Sequence, residues 1–198
     1  QTSNYFINYG KVLNNFETAY GTTIGWNGTA YKGSTTALAS VTGSRLTAGP
    51  WGNASAHLAF VLDGANYSAY AGATFNSLSI DWTRLKSLRI KLRSNIARTV
   101  SVKILATQAD YAAANLQGVA YSQDLRVTTA SGEFTLNKQD FALPAWYVAP
   151  ATFPTLAAIL PTVTAIGVEV ACPNYSTAGT CTNQAGTLEI DDIIVDLN

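Results

Sequence analysis

The sequence predicts an all-β, single-domain fold, a sandwich or jelly roll. Three observations carry this. Short runs alternate apolar and polar residues with a period of two. Turn residues separate them, and helical periodicity is scarce. No Pro/Gly/Ser-rich or charged linker divides the 198 residues, so residues 1–198 read as one domain.

In chain order, Leu58, Phe60 and Leu62 alternate with His57, Ala59 and Val61. Asp81 to Leu85 reads as a short turn into the next strand, where Leu88, Ile90 and Leu92 alternate with Arg89, Lys91 and Arg93. Val100, Val102 and Ile104 follow, alternating with Ser101 and Lys103. Residues 94–98 join these two strands, and we expect a hairpin there. Strands are also expected around Phe134 and Leu136, around Ile166, Val168 and Val170, and from Leu188 to Leu197. One or two helical turns fit Asp110–Leu116 and Phe153–Leu160, the latter bounded by Pro154 and Pro161.

Composition narrows the function. Twelve basic and twelve acidic residues cancel. Phosphate binding needs a basic surface, so nucleic acid is a poor partner. A polybasic patch for anionic lipid is absent, as is an apolar stretch of membrane-spanning length. Charged residues are only 12% of the chain, and Thr, Ser, Asn, Gln and Tyr carry the surface instead. Such surfaces are common in extracellular proteins that meet neutral polymers. The chain begins at Gln1 and contains no Met, which we read as a mature secreted form or a module cut from a longer protein. Cys172 and Cys181 lie nine apart in a polar loop with Pro173 and Gly179. A disulfide is the natural reading and implies an oxidising compartment. Two free buried thiols are the alternative; a zinc site is a weak one, because His57 is the sole His.

Several segments, taken in order, resemble a known family. They are Leu13-Asn14-Asn15-Phe16-Glu17, Gly25-Trp26-Asn27-Gly28, Tyr67 to Ala73, Asp81 to Leu88, Phe134-Thr135-Leu136, Asp140 to Trp146, and Leu188-Glu189-Ile190-Asp191-Asp192-Ile193. This order resembles the galactose-binding-like jelly rolls, in particular family 11 carbohydrate-binding modules and relatives. Residues 172–181 and 146–161 depart from that pattern. The resemblance implies a non-catalytic module that holds a β-glucan or related plant polysaccharide, attached to or accompanying a carbohydrate-active enzyme. It also implies a structural Ca²⁺ near the first and last strands, with Glu17 and Asp192 supplying carboxylates. Ile190-Asp191-Asp192-Ile193 breaks strict alternation, so one of the two Asp must turn towards the apolar side, where it needs a partner. A cation is one answer and a backbone-capping hydrogen bond the other.

Sugars offer flat apolar C–H faces rimmed by hydroxyls, so their sites combine exposed aromatic planes with polar groups. Trp26, Trp51, Tyr67, Tyr70 and Tyr121 are the candidate aromatics, from a pool that also holds Tyr31, Tyr111 and Tyr147. The family resemblance implies that Trp82 and Trp146 are packing anchors. Arg89, Lys91, Arg93 and Lys103 are expected to line one side of adjacent strands, with Glu169 nearby if its strand pairs there. The bland reading is core packing for most of the aromatics and a solvated face of cross-strand ion pairs for the charges. No catalytic residue is assigned: the Gly-x-Ser-x-Gly elbow is missing and carboxylates are few. A jelly-roll lyase or hydrolase, and a surface adhesion domain without sugar ligand, are the rival functions.

Overall fold

A computed structural model describes residues 10–33, 36, 38–65, 69–77, 79–107, 120–130, 132–145, 147–149, 152–172 and 180–198. Tyr67, Tyr111, Trp146 and the expected helical turns at Asp110–Leu116 lie outside the described residues. The strands are β1 (Gly10–Asn14), β2 (Gly28–Gly33), β3 (Ser40–Leu46), β4 (Ser55–Ala65), β5 (Tyr70–Asn76), β6 (Leu85–Ser94), β7 (Arg98–Ala106), β8 (Tyr121–Val127), β9 (Gly132–Asn137), β10 (Val163–Ala171) and β11 (Thr180–Leu197). Among the described residues, helix is limited to α1 (Leu156–Ile159) and 3₁₀ turns at Trp82–Arg84, Lys138–Asp140 and Leu160–Thr162. Among the described residues no helix is long and apolar enough to cross a membrane.

Two antiparallel sheets form the jelly-roll sandwich. One runs β3-β4-β11-β6-β9, with β1 also paired to β11; the other runs β2-β5-β10-β7-β8. The 18-residue β11 is the spine of the first sheet. Its first part pairs with β4 through Ile190↔Ala56, and its last part with β1 from Ile193↔Asn14. Between these partners lies a bulge at Asp191–Asp192, with Asp192 in the left-handed region at φ 42°. The bulge absorbs the break in alternation, so Ile190 and Ile193 both stay fully buried.

β6 and β7 do not form the expected hairpin. β6 pairs with β11 and β9, whereas β7 pairs with β10 and β8. The link between them crosses from one sheet to the other. Period-two patterning states that each strand has one apolar face, not that two such strands share a sheet. Leu88, Ile90 and Leu92 bury from one sheet, and Val100, Val102 and Ile104 from the other.

Trp26 belongs to this core and not to the surface. It is fully buried, 6.5 Å from the ring of Phe16 and 5.7 Å from that of Phe75. Gly25, at φ 76°, makes the turn just before it. Trp82 is buried as expected and donates from its indole N–H to Ser77 Oγ at 2.6 Å. A disulfide joins Cys172, just past β10, to Cys181 near the start of β11, with a Cα–Cα distance of 5.8 Å. It ties the two sheets together at one end. Truncating the core anchor should be costly: Trp26→Ala is expected to lower unfolding free energy by about 3–5 kcal/mol, read from urea denaturation.

Candidate functional site

The outer face of the six-stranded sheet carries charge that is already paired. Arg89 Nε donates to Asp196 Oδ2 at 2.9 Å and its Nη2 to Asp196 Oδ1 at 3.1 Å. This fork holds the Asp196 carboxyl below its usual range. Lys91 Nζ meets Asp192 Oδ2 at 2.5 Å, Arg93 Nε donates to the Thr129 carbonyl at 3.1 Å, and His57 Nδ1 lies 3.2 Å from Glu189. Arg89, Lys91 and Arg93 therefore share one face, as expected, but as partners of local groups. Lys103 is not among them, because β7 lies in the other sheet.

The outer face of the five-stranded sheet has a different character. Its registers align Tyr31, Gly72, Glu169, Ser101 and Asp124 in one row across all five strands. A second row holds Thr29, Thr74, Gly167, Lys103 and Ser122. Four strand spacings make each row about 19 Å long. Glycine lets two tyrosines reach across onto the neighbouring strand. A Cβ at position 72 would stand 2.6 Å from Tyr31 Cζ and Oη, and one at position 33 would stand 2.0 Å from Tyr70 Cε1. The two rings are 6.3 Å apart at 63°.

Beside the tyrosines is a buried ion pair. Glu169 is 4% exposed and Lys103 6%. Lys103 Nζ donates to Glu169 Oε1 at 2.7 Å, and Tyr31 Oη donates to Glu169 Oε2 at 2.8 Å. Burial, and then the adjacent carboxylate, hold the Tyr31 phenol well above its ordinary pKa. The polar end of the rows reaches beyond β8. Ser122 and Ala142 exchange backbone hydrogen bonds of 2.9 and 3.1 Å, which extends the sheet by one short segment. A shallow cleft of about 310 Å³ lies there, between Ser122 and Asp124 on one side and Asp140, Leu143 and Pro144 on the other.

Of the predicted binding aromatics among the described residues, Tyr70 alone is placed on this face. Trp51 sits half-buried in the turn between β3 and β4, in the other sheet. Tyr121 donates its hydroxyl to the Pro154 carbonyl at 3.0 Å and packs against Phe153, so it fastens the β9–β10 connection. Tyr31, a member of the wider pool, is the second ring of the pair. Its signal in the sequence is the glycine opposite it, which is visible only once the register is known.

At the bulge, Asp191 is fully buried. Its Oδ1 accepts from the Asp192 backbone N–H at 2.8 Å, whereas Oδ2 has no hydrogen-bond partner. Burial pushes its pKa from 3.8 up to about 6, and the charges of Asp192 and Glu17 add to this. Arg45 donates to the carbonyls of Phe16 and Glu17, the latter at 2.8 Å. No group of three or more His, Cys, Asp or Glu side chains placed to hold a metal occurs among the described residues. A carboxyl raised on folding binds its proton more tightly in the folded chain. Its stabilising contribution is complete below pH 3.8 and is lost as pH rises to about 6. The stability of the wild type relative to Asp191→Asn is therefore expected to fall across that window in metal-free buffer, measured by denaturant unfolding at each pH.

No protein-family model and no curated protein matches the chain. Solved structures match in fold. The chain is similar to the family 11 carbohydrate-binding module of a cellulosomal cellulase of Clostridium thermocellum, with TM-score 0.65 and 15% identity over 96% of this chain and 95% of that one. It is likewise similar to a family 11 module from the same organism in complex with a β-1,3-1,4-mixed-linked tetrasaccharide, with TM-score 0.64 and 16% identity over 94% and 95%. The N-terminal cellulose-binding domain of Cellulomonas fimi β-1,4-glucanase C matches with TM-score 0.51 and 18% identity over 95% and 97%. The jelly roll implied by the sequence motifs is thus the fold these modules share.

Proposed function

We propose that the chain is a secreted, non-catalytic carbohydrate-binding module that takes a β-glucan or related plant cell-wall polysaccharide on the outer face of its five-stranded sheet. The observation that carries this is the tyrosine pair, Tyr31 and Tyr70, laid over Gly72 and Gly33 beside rows of hydroxyl and carboxylate groups. Aromatic rings present the plane that a sugar's C–H face needs, and Thr29, Thr74, Ser122 and Asp124 offer partners for its hydroxyls. The Glu169 charge beside Tyr31 is matched by Lys103, which suits a neutral polymer better than a uronic-acid one. Both Glu169 oxygens are already engaged, which favours holding a chain over cleaving it. The fold of the mixed-linkage-glucan and cellulose binders supports the ligand class. On this reading, the module concentrates a covalently linked or accompanying catalytic domain on its substrate.

Native affinity electrophoresis tests the reading. Retardation by mixed-linkage glucan, xyloglucan or cellulose derivatives is expected with the polymer left intact, and little by pectin or alginate. Tyr70→Ala should weaken binding about tenfold, or ~1.4 kcal/mol. Arg89→Ala, on the opposite sheet, should leave affinity unchanged. Retardation by none of the polymers, or shortening of one, would refute the proposal.

A structural Ca²⁺ belongs to the same proposal. Glu17 and Asp192 are the carboxylates that the family resemblance implies, and Asp191 adds a buried oxygen without a partner. Lys91 already pairs with Asp192, and the ion would give Asp191 Oδ2 the partner it lacks. Millimolar Ca²⁺ is expected to raise Tm at pH 7, EDTA to reverse the gain, and Asp191→Ala to abolish it.

A further inference from the structure

Lys103 and Glu169 lie on the outside of a sheet, where charges are ordinarily solvated, yet both are buried. Burying an ion pair is costly unless its remaining hydrogen-bonding capacity is used. Here it is used on Tyr31: one carboxylate oxygen takes Lys103 Nζ at 2.7 Å, and the other takes the Tyr31 hydroxyl at 2.8 Å. Gly72 gives the end of the ring room to stand over it but no means of staying there. Cross-strand contact with Tyr70 is edge-on at 63° and restrains one edge. The hydrogen bond to Glu169 is the contact that fixes the far end of the ring.

We infer that Glu169, itself held by Lys103, is a positioning residue that holds the Tyr31 ring in place over Gly72 and so presets the stacking plane for sugar. This rests on the carbohydrate-binding reading. With both oxygens committed, Glu169 acts through Tyr31 and not on sugar hydroxyls directly. A preset ring spares the ligand the ordering of a mobile side chain, an effect of about three- to tenfold in affinity.

Two variants separate the lock from the ring and from the fold. Tyr31→Phe keeps the ring and removes its anchor. Replacing Lys103 alone would strand a buried carboxylate, so Lys103→Met and Glu169→Leu are combined; exchanging a buried pair for apolar groups is commonly tolerated. Affinity for mixed-linkage glucan would be measured by calorimetry, and the Tyr31 χ1 rotamer population by three-bond NMR couplings on tyrosine-labelled protein. The expected result is a single rotamer in the wild type, rotamer averaging in the double variant, and a three- to tenfold loss of affinity in both variants. Combining all three changes should cost no more than either variant, because they break one unit. Unchanged affinity, or a single rotamer kept in the double variant, would overturn the lock. A wild type with a single rotamer that binds no glucan would overturn the carbohydrate reading, and with it the positioning role.

Discussion

The sandwich depends on one constraint: β11 must keep its apolar residues on the core side while changing neighbours partway along. Leu188 and Ile190 pair towards β4, and Ile193 and Val195 towards β1. A strictly regular strand with this sequence would turn Ile193 to the outside, since side chains alternate. The left-handed Asp192 inserts the slack that prevents this. Its consequence is a buried carboxylate at Asp191, the chief electrostatic liability of the fold.

Both sheets then present a polar face to the outside, and the two faces differ in kind. On the six-stranded sheet, long basic side chains reach carboxylates across strands, and the groups satisfy one another. On the five-stranded sheet, Gly72 and Gly33 leave room for the rings of Tyr31 and Tyr70 to stand over the neighbouring strand. Long charged side chains hide a sheet surface, whereas glycine exposes it to whatever packs on top. That contrast, more than the count of aromatics, separates a solvated face from a stacking face.

Much of the fold was legible because its signal is local. The apolar runs at Leu58–Leu62, Leu88–Leu92, Val100–Ile104 and Ile166–Val170 are core strands, and period-two alternation needs no knowledge of neighbours. The disulfide was legible from the spacing of the chain's two cysteines. The site was legible only in fragments. Tyr70 was singled out, whereas Trp26 resembled it in composition and is buried. Lys103 was grouped with Arg89 because the two strands are consecutive, but a short connection serves a hairpin or a sheet-to-sheet crossing equally well.

By itself, the sequence determined that the chain is an all-β domain, which residues alternate into its core, and that its surface is poor in charge. Those properties follow from residue type and period, which each strand carries alone. Only the tertiary structure decided which strands share a sheet, that Tyr31 lies over Gly72, and that Glu169 stands between Lys103 and Tyr31. Those facts depend on pairing between residues far apart in the chain, 138 positions for Tyr31 and Glu169 and more for β1 against β11. Hydrogen bonding between backbones is nearly indifferent to sequence, so register and sheet membership are settled by how the whole core packs.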